Sequence, residues 1–393
     1  MLKKSLKISL FVLLGLWWAF PTVAHERDNR DSGGPIKVMT QNLYIGADLL
    51  RVVNVGDPAE IPIAVAETLQ VIQQTNFPER AKAIAEEIKR VKPDVIGLQE
   101  VTLLRTQFPG DFFLGNPIAA EDVLYDYLNI LLAALRKQGM HYEVAAIVQN
   151  ADVEVPAFAG VGDSGPLFMD VRLTDHDVIL ARKSIKTKNP LAQNFQINLQ
   201  IPIDGFVIDF TRGYTAVDAK VRGQWYRVAN THLELPGPPP VSLVQALQAE
   251  ELINVLSQSD LPVVLMGDFN STPEDEVEPI TGAVPPYMQL VASNFIDVWL
   301  HRFGKPSVGY TCCQDELLDN EASALYMRID YIFVRSTDGD PAALDDAFVL
   351  ANTVGDKPVD KTPSGLWPSD HAGVWSRIKF NIPRWPYLKL RWQ

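Results

Sequence analysis

The sequence predicts a layered α/β fold, and three observations carry the prediction. Short apolar runs of strand character recur along the chain. Segments with apolar residues at helical spacing lie between several of them. Six of the apolar runs abut short polar strings, five at their ends and one at its start. Strands separated by helices build a sheet covered by helices, and polar groups at successive strand ends converge on one sheet edge.

The elements follow in chain order. Ile36 to Leu43 (IKVMTQNL) has strand character. Glu79 to Val91 (ERAKAIAEEIKRV) spaces its apolar residues as a helix does and runs into Pro93. Asp94 to Val101 (DVIGLQEV) reads as a buried strand closing on a carboxylate. A helix is expected from Glu121 to Lys137. Strands and a long loop are expected over 140–180, where Gly160, Gly162 and Gly165 fall. Further strands are expected at Val178 to Ala181, Ile197 to Ile201, Tyr214 to Val221 and Trp225 to His232. The string PGPPP at 236–240 is a hard stop before a helix from Val241 to Ser257. Leu261 to Met266 then runs as a buried strand into Gly267-Asp268-Phe269-Asn270, and Tyr331 to Val334 and Ala372 to Ile378 complete the set. With no repeat and no low-complexity linker, one domain is expected over 36–380, carrying irregular insertions near 103–175 and 336–365.

Composition narrows the class. The 393 residues are 47% hydrophobic and 21% charged, which excludes disorder, collagen and a coiled coil. Proline (28) outnumbers glycine (24), so stiff loops are expected rather than flexible linkers. The net charge is −13, without the basic stripe that a wide nonspecific DNA-binding face needs. A polyanionic substrate must then be met locally, through a metal ion.

The two ends of the chain read differently from the middle. Lys3, Lys4 and Lys7 precede an apolar stretch from Ile8 to Phe20, too short to span a bilayer. Thr22-Val23-Ala24 offers a cleavage site before His25, so residues 1–24 are expected to be a signal peptide and the protein secreted or periplasmic. An uncleaved anchor is the alternative. Losing three lysines would take the net charge to −16. Residues 25–35 read as a loose leader, and 381–393 as a tail that packs on the domain or touches a membrane surface. The two cysteines, Cys312 and Cys313, are adjacent and form no disulfide framework; they either close a small ring or remain thiols.

The polar strings are Gln41-Asn42, Gln99-Glu100, Asn230-Thr231-His232, Gly267-Asp268-Phe269-Asn270, Arg328-Ile329-Asp330-Tyr331 and Ser369-Asp370-His371. Each alone has an ordinary explanation. Glu100 or Asn42 caps a turn in many proteins, and His232 by itself is a satisfied core histidine. Gathered at one edge they would assemble carboxylates, two histidines and two asparagines. Oxygen ligands without cysteine suit a hard cation such as Mg²⁺ or Mn²⁺, although two histidines with carboxylates also suit zinc.

The ordered set QN, QE, RGY, NTHLE, GDFNSTPED, RIDYIFV and PSDHAGV resembles the endonuclease/exonuclease/phosphatase superfamily from Asn42 to His371. That superfamily includes pancreatic deoxyribonuclease, abasic-site endonucleases, bacterial sphingomyelinases and inositol-polyphosphate 5-phosphatases. The resemblance implies a four-layer α/β sandwich, two packed mixed β-sheets flanked by helices, and metal-dependent cleavage of phosphoester bonds. Mg²⁺ is the implied cofactor, with Mn²⁺ or Ca²⁺ as alternatives.

By the same resemblance, Glu100 matches the principal metal-binding glutamate, with Asn42 beside it and Asp370 at a second metal position. Asp268 matches the aspartate that orients or deprotonates the attacking water, and Asn270 the residue that steadies it. His371 resembles the histidine that binds the scissile phosphate, and Asp330 the aspartate that pairs with it. His232 resembles the other active-site histidine of deoxyribonuclease and sphingomyelinase members. Arg212 is the best match for a phosphate-contacting arginine, with Tyr214 and Arg182 as competitors. Elementary chemistry agrees: hydrolysis of a phosphodiester needs a base near an in-line water and donors for the growing oxyanion charge. His176 lies near the expected site edge, Asp48 binds substrate or caps a turn, and His141 and His301 carry no motif.

The substrate is the open question, because this chemistry is shared across different substrates. The reading is a secreted metal-dependent phosphodiesterase or nuclease. The alternatives are a sphingomyelinase-type phospholipase C, a phosphatase, or a non-catalytic binding protein. The partner expected is a phosphoester substrate (nucleic acid, phospholipid headgroup or small diester), met by a monomer with no stable protein partner.

Overall fold

The computed structural model describes residues 34–380, apart from 115, 116, 204, 205, 306, 341 and 342. The expected signal peptide, nearly all of the leader and the C-terminal tail lie outside the described residues.

The first half of the chain forms β1 (Ile36–Asn42), α1 (Leu50–Val53), α2 (Ile61–Gln74), α3 (Phe77–Val91), β2 (Val95–Gln99), β3 (Leu103–Gln107), β4 (Asp122–Asp126) and α4 (Tyr127–Lys137). A long hairpin of β5 (Tyr142–Gly162) and β6 (Gly165–Arg182) follows. The second half forms β7 (Lys186–Asn194), β8 (Leu199–Ile203), β9 (Phe206–Phe210), β10 (Gly213–Val221), β11 (Gln224–His232), α5 (Val241–Ser257) and β12 (Val263–Asp268). It ends with α6 (Pro286–Ala292), β13 (Ile296–Asp297), α7 (Val298–Phe303), β14 (Asp330–Arg335), β15 (Leu350–Val354) and β16 (Gly373–Ile378).

These strands make two mixed sheets. The first runs β15-β16-β1-β2-β6-β3-β4, with β5 also on β6. The second runs β13-β14-β12-β11-β10-β7, and β8 and β9 form a separate hairpin. Side chains of both sheets, among them Val38, Val95, Ile179, Val228, Val264, Met266 and Ile332, share one core. The outer face of the first sheet is covered by α3 and α4, and that of the second by α5 and α6. The architecture is thus a four-layer α/β sandwich, in the deoxyribonuclease I-like arrangement.

Local sequence explains the layers. In α3, Phe77, Ala81, Ile84, Ala85 and Ile88 form one buried stripe, and Pro78 sits in the first turn where its missing N–H costs nothing. β12 is buried throughout, as a strand with neighbours on both edges and faces must be. A polar pin crosses the apolar interface between the sheets. The Asn230 amide donates to the Leu98 carbonyl (3.0 Å) and accepts from Gln99 Nε2 (2.5 Å). A Cβ at position 97 would come within 2.4 Å of Asn230 Oδ1, so Gly97 is the residue that lets the pin seat.

Four expectations need correction. The helix expected from Glu121 starts at Tyr127, because residues 122–126 pair with β3 and Asp126 caps the helix by accepting from the Asn129 amide. The loop expected within 140–180 is instead the β5–β6 hairpin, turning at Asp163-Ser164. The region 103–175 is therefore mostly regular structure. The strand expected at Ile197 falls at Leu199–Ile203, paired with β9 outside both main sheets. Helix α2 had no counterpart in the sequence reading.

Candidate active site

Parallel pairing brings the polar strings together. In β1 and β2, Asn42 is opposite Gln99, so both strands end side by side and Glu100 follows at once. In β11 and β12, His232 is opposite Asp268, and Asp268 is in turn opposite Asp330 across the antiparallel β12–β14 pair. One edge of the sandwich thus receives residues from both sheets.

Direct contacts knit them. Asn42 Nδ2 donates to Glu100 Oε1 (3.1 Å) and to Asp268 Oδ2 (3.2 Å), joining the first sheet to the second. Asn42 Oδ1 accepts from the Tyr44 amide (2.9 Å), which fixes the orientation of the side-chain amide. Glu100 Oε2 accepts from the Ile45 amide (2.6 Å). Asp268 Oδ1 accepts from the Asn270 amide (2.9 Å). His371 Nδ1 donates to Asp330 Oδ2 (2.8 Å), leaving Nε2 directed to Asp268 Oδ2 (3.9 Å) and Asp370 Oδ1 (4.0 Å). Opposite, His232 Nε2 lies 3.6 Å from the same Asp268 oxygen and 3.1 Å from Asn270 Nδ2. Arg212 Nη1 is 3.1 Å from His232 Nδ1, and Arg212 Nη2 is 3.8 Å from Glu234. All nine residues singled out in the sequence meet here. Glu100 and Asn270 adopt left-handed backbone angles (φ 54° and 48°), local strain of the kind concentrated at functional sites.

Electrostatics sort the groups into roles. Burial, then the charge of Asp370, pushes the Glu100 carboxyl up to about 7. Burial and then Asp330 push Asp268 up to about 7 as well. Burial also raises Asp370. Burial works against a charge on His371, yet Asp330 and Asp370 outweigh it and hold its pKa well above the ordinary value. His232 goes the other way: burial, then Arg212 and His371, hold it well below. The surroundings thus favour the imidazolium at His371 and the neutral ring at His232.

The acidic crowding tests whether a metal fits. The charge of Asp370 raises the proton affinity of Glu100, and a divalent cation would relieve that repulsion. Their hard oxygen donors match such an ion, so Glu100 and Asp370 would hold it. One ligand atom each of Asp268, Asp330 and His371 also falls within 4.8 Å of the others.

Several contributors were not read from the sequence. Arg80, buried in α3, donates to the carbonyls of Leu43 (2.7 Å), Tyr44 (3.1 Å), Thr75 (2.8 Å) and Pro368 (3.0 Å). It thereby ties the loop before Glu100's partner Ile45 to the loop before Asp370. Its signal was an arginine in line with Ile84 and Ile88 on an apolar stripe. Asn150 Nδ2 bridges the buried Asp175 (3.1 Å) and Asp177 (3.0 Å), whose charges bear on Arg212. Between them His176, which the sequence places near the site edge, turns Nδ1 to the Val101 carbonyl (3.0 Å).

A sequence model of the Endonuclease/Exonuclease/phosphatase family matches residues 72–371. The chain belongs to that family and is a metal-dependent phosphoester hydrolase. Among solved structures, it is similar to an endonuclease/exonuclease/phosphatase from Beutenbergia cavernae, at 18% identity and a TM-score of 0.51, covering 88% of this chain and 72% of that one. It is also similar to a mannosyl-6-phosphatase from Bacteroides thetaiotaomicron, at 18% identity and a TM-score of 0.48, covering 88% and 100%. A humanized D. rerio TDP2 aligns at 18% identity and a TM-score of 0.46, covering 88% and 99%. A comparison with curated protein sequences finds no match.

Proposed function

We propose that the protein is an exported Mg²⁺-dependent phosphodiesterase of nuclease type, acting as a monomer. The observation that supports this reading is the pair of histidines whose Nε2 atoms face Asp268 Oδ2 at 3.6 Å and 3.9 Å, with surroundings that favour the charged form of His371 and the neutral form of His232. A phosphoryl group between them meets the His371 imidazolium, which neutralises its oxygens, and a neutral His232 that gives or takes a proton. Asp268 orients and deprotonates the attacking water, a role worth ~10²–10⁴ in rate. Asn270 and Arg212 hold the phosphoryl oxygens as charge grows on them. Glu100 and Asp370 would hold the divalent ion, which would supply Lewis acidity to the reaction. Export rests on the lysine-led apolar N-terminus and is tested by finding His25 as the first residue of the protein outside the cytoplasm.

A second reading, a lipid-headgroup phosphodiesterase, is favoured by the β5–β6 hairpin. Val178 pairs with Leu98 beside the site, so the residues of β6 before Thr174 run on past the catalytic edge. This arm and the loop beside it expose Phe108, Phe113, Leu114 and Val161.

The deciding experiment compares hydrolysis of bis-p-nitrophenyl phosphate, p-nitrophenyl phosphate, plasmid DNA, RNA and sphingomyelin vesicles, with Mg²⁺, Mn²⁺, Ca²⁺ or EDTA. Diester and nucleic-acid turnover that EDTA abolishes, and that is lost in Asp268→Asn and His371→Ala, is the expected result. Preference for the monoester or for sphingomyelin overturns the nuclease reading.

A further inference from the structure

Cys312 and Cys313 are joined by a disulfide, and they sit where the strand of His371 meets that of Asp330. Cys312 is buried and forms β-bridges to Met327 on one side and to His371 on the other. Its neighbours extend the same brace. Thr311 O accepts from the Ala372 amide (2.7 Å), and the Gln314 amide donates to Asp370 O (2.9 Å). Thr311 Oγ1 accepts from the amides of Ile329 and Asp330 (3.2 Å each). The two sulfurs and a ring nitrogen of His371 lie within 4.8 Å of one another. Segment 311–314 therefore holds both backbones that carry the Asp330–His371 hydrogen bond, and the disulfide closes an eight-membered ring in its middle.

We propose that the Cys312–Cys313 disulfide is a positioning device for the Asp330–His371 pair, switched by thiol–disulfide exchange. A dithiol reductant attacks one sulfur, the Sγ–Sγ bond breaks, and two electrons and two protons leave Cys312 and Cys313 as thiols while the dithiol becomes a disulfide. Opening the ring returns torsional freedom to both residues. The brace then no longer fixes the two strands at one spacing, and the His371 imidazole departs from its place on Asp330. Displacements of this order cost up to ~10²-fold in rate when they act at a reacting centre. The catalytic consequence rests on the role proposed above for His371; the structural one does not.

The test uses the purified protein in oxidised, dithiothreitol-reduced and reoxidised forms, with thiols counted by alkylation and mass spectrometry. Two readouts are followed: kcat and KM on bis-p-nitrophenyl phosphate, and the downfield NMR signal of the His371 Nδ1 proton. Reduction is expected to lower kcat by ~10-fold with KM within about twofold, to weaken the Nδ1–H signal, and to reverse on reoxidation. A folded Cys312→Ser/Cys313→Ser variant is expected to stay at the reduced level and to ignore dithiothreitol. Should that variant not fold, the reversible cycle of the unaltered protein decides alone. Complete reduction with kcat and the NMR signal unchanged overturns the proposal, as does a disulfide that resists dithiothreitol in the folded protein. If no diester is cleaved in any form while the NMR signal follows reduction, the phosphodiesterase reading fails and the switch stands.

Discussion

Arg212 Nη1 lies 3.1 Å from Nδ1 of His232, and this contact holds the histidine in place beside Asp268. A guanidinium only donates, so Nδ1 accepts in this contact, while the Asn270 amide nitrogen, also a donor, lies 3.1 Å from Nε2. Nε2 also faces Asp268, whose Oδ2 is 3.6 Å away. Replacing Arg212 with methionine removes both the orienting donor and a charge that opposes protonation. Arg212→Met is expected to lower kcat/KM by ~10–100-fold and to shift the acid limb of the pH–rate profile to higher pH. Steady-state kinetics from pH 5 to 9 check both.

Asp268→Asn keeps the shape of the side chain but not its basicity. A drop in kcat of ~10²–10⁴ is expected, with the circular dichroism spectrum unchanged. Single-turnover measurements under saturating metal separate this loss from weakened substrate binding.

Arg80→Met tests the brace between the two catalytic loops. Four carbonyls would lose a buried donor, and the expected destabilisation is ~3 kcal/mol or more by urea unfolding. Because the loops flanking Glu100 and Asp370 are loosened together, metal affinity should fall with stability. Isothermal titration of Mg²⁺ against the variant measures that second effect.

The metal-free protein should lose stability as pH rises from 6.5 to 8.5. Glu100 and Asp268, held near 7 when folded, keep protons that the unfolded chain has already released, so the native state binds more protons and stability falls with pH. His371 acts in the same direction: its raised pKa gives stability that is complete below the unfolded value and disappears as pH climbs through the folded one. His232, lowered when folded, opposes this only below about 6.5. A saturating divalent cation, at 100 times its dissociation constant, should add about 2.7 kcal/mol. Thermal melts with and without EDTA at pH 6.5 and 8.5 read out the difference, which should be larger at the higher pH.

The site was legible because its residues lie at strand termini. Asp268 ends β12, Asp330 begins β14 and His371 lies just before β16; the parallel pairs β1–β2 and β11–β12 and the antiparallel pairs β12–β14 and β1–β16 bring those ends to one edge. The hairpin was not legible for a matching reason. Bulges between Val144 and Ala146, Gln149 and Asp152, and Phe158 and Gly160 repeatedly shift the two-residue alternation, so no single period survives along β5. Residues 122–126 hid in a helical pattern because Val123, Leu124 and Tyr125 serve either spacing until Asp126 is recognised as the cap. Arg80 was hidden by its charge: a guanidinium satisfied by four carbonyls occupies a position that the helix pattern reserves for an aliphatic side chain.

The pin formed by Asn230 and the bare backbone at Gly97 has a consequence for how this fold can be altered. It works as a key and its slot, one cut into each half of the chain, and each is useless without the other. A hybrid joining residues 36–182 of one relative to 186–378 of another would seat its sheets in register only if the donors supplied both glycine at 97 and asparagine at 230. A mismatch would offset the second sheet against the first, even though β16 of one half still pairs with β1 of the other. In that state Asn42 and Asp268 could not meet, and the hybrid would be folded, soluble and silent.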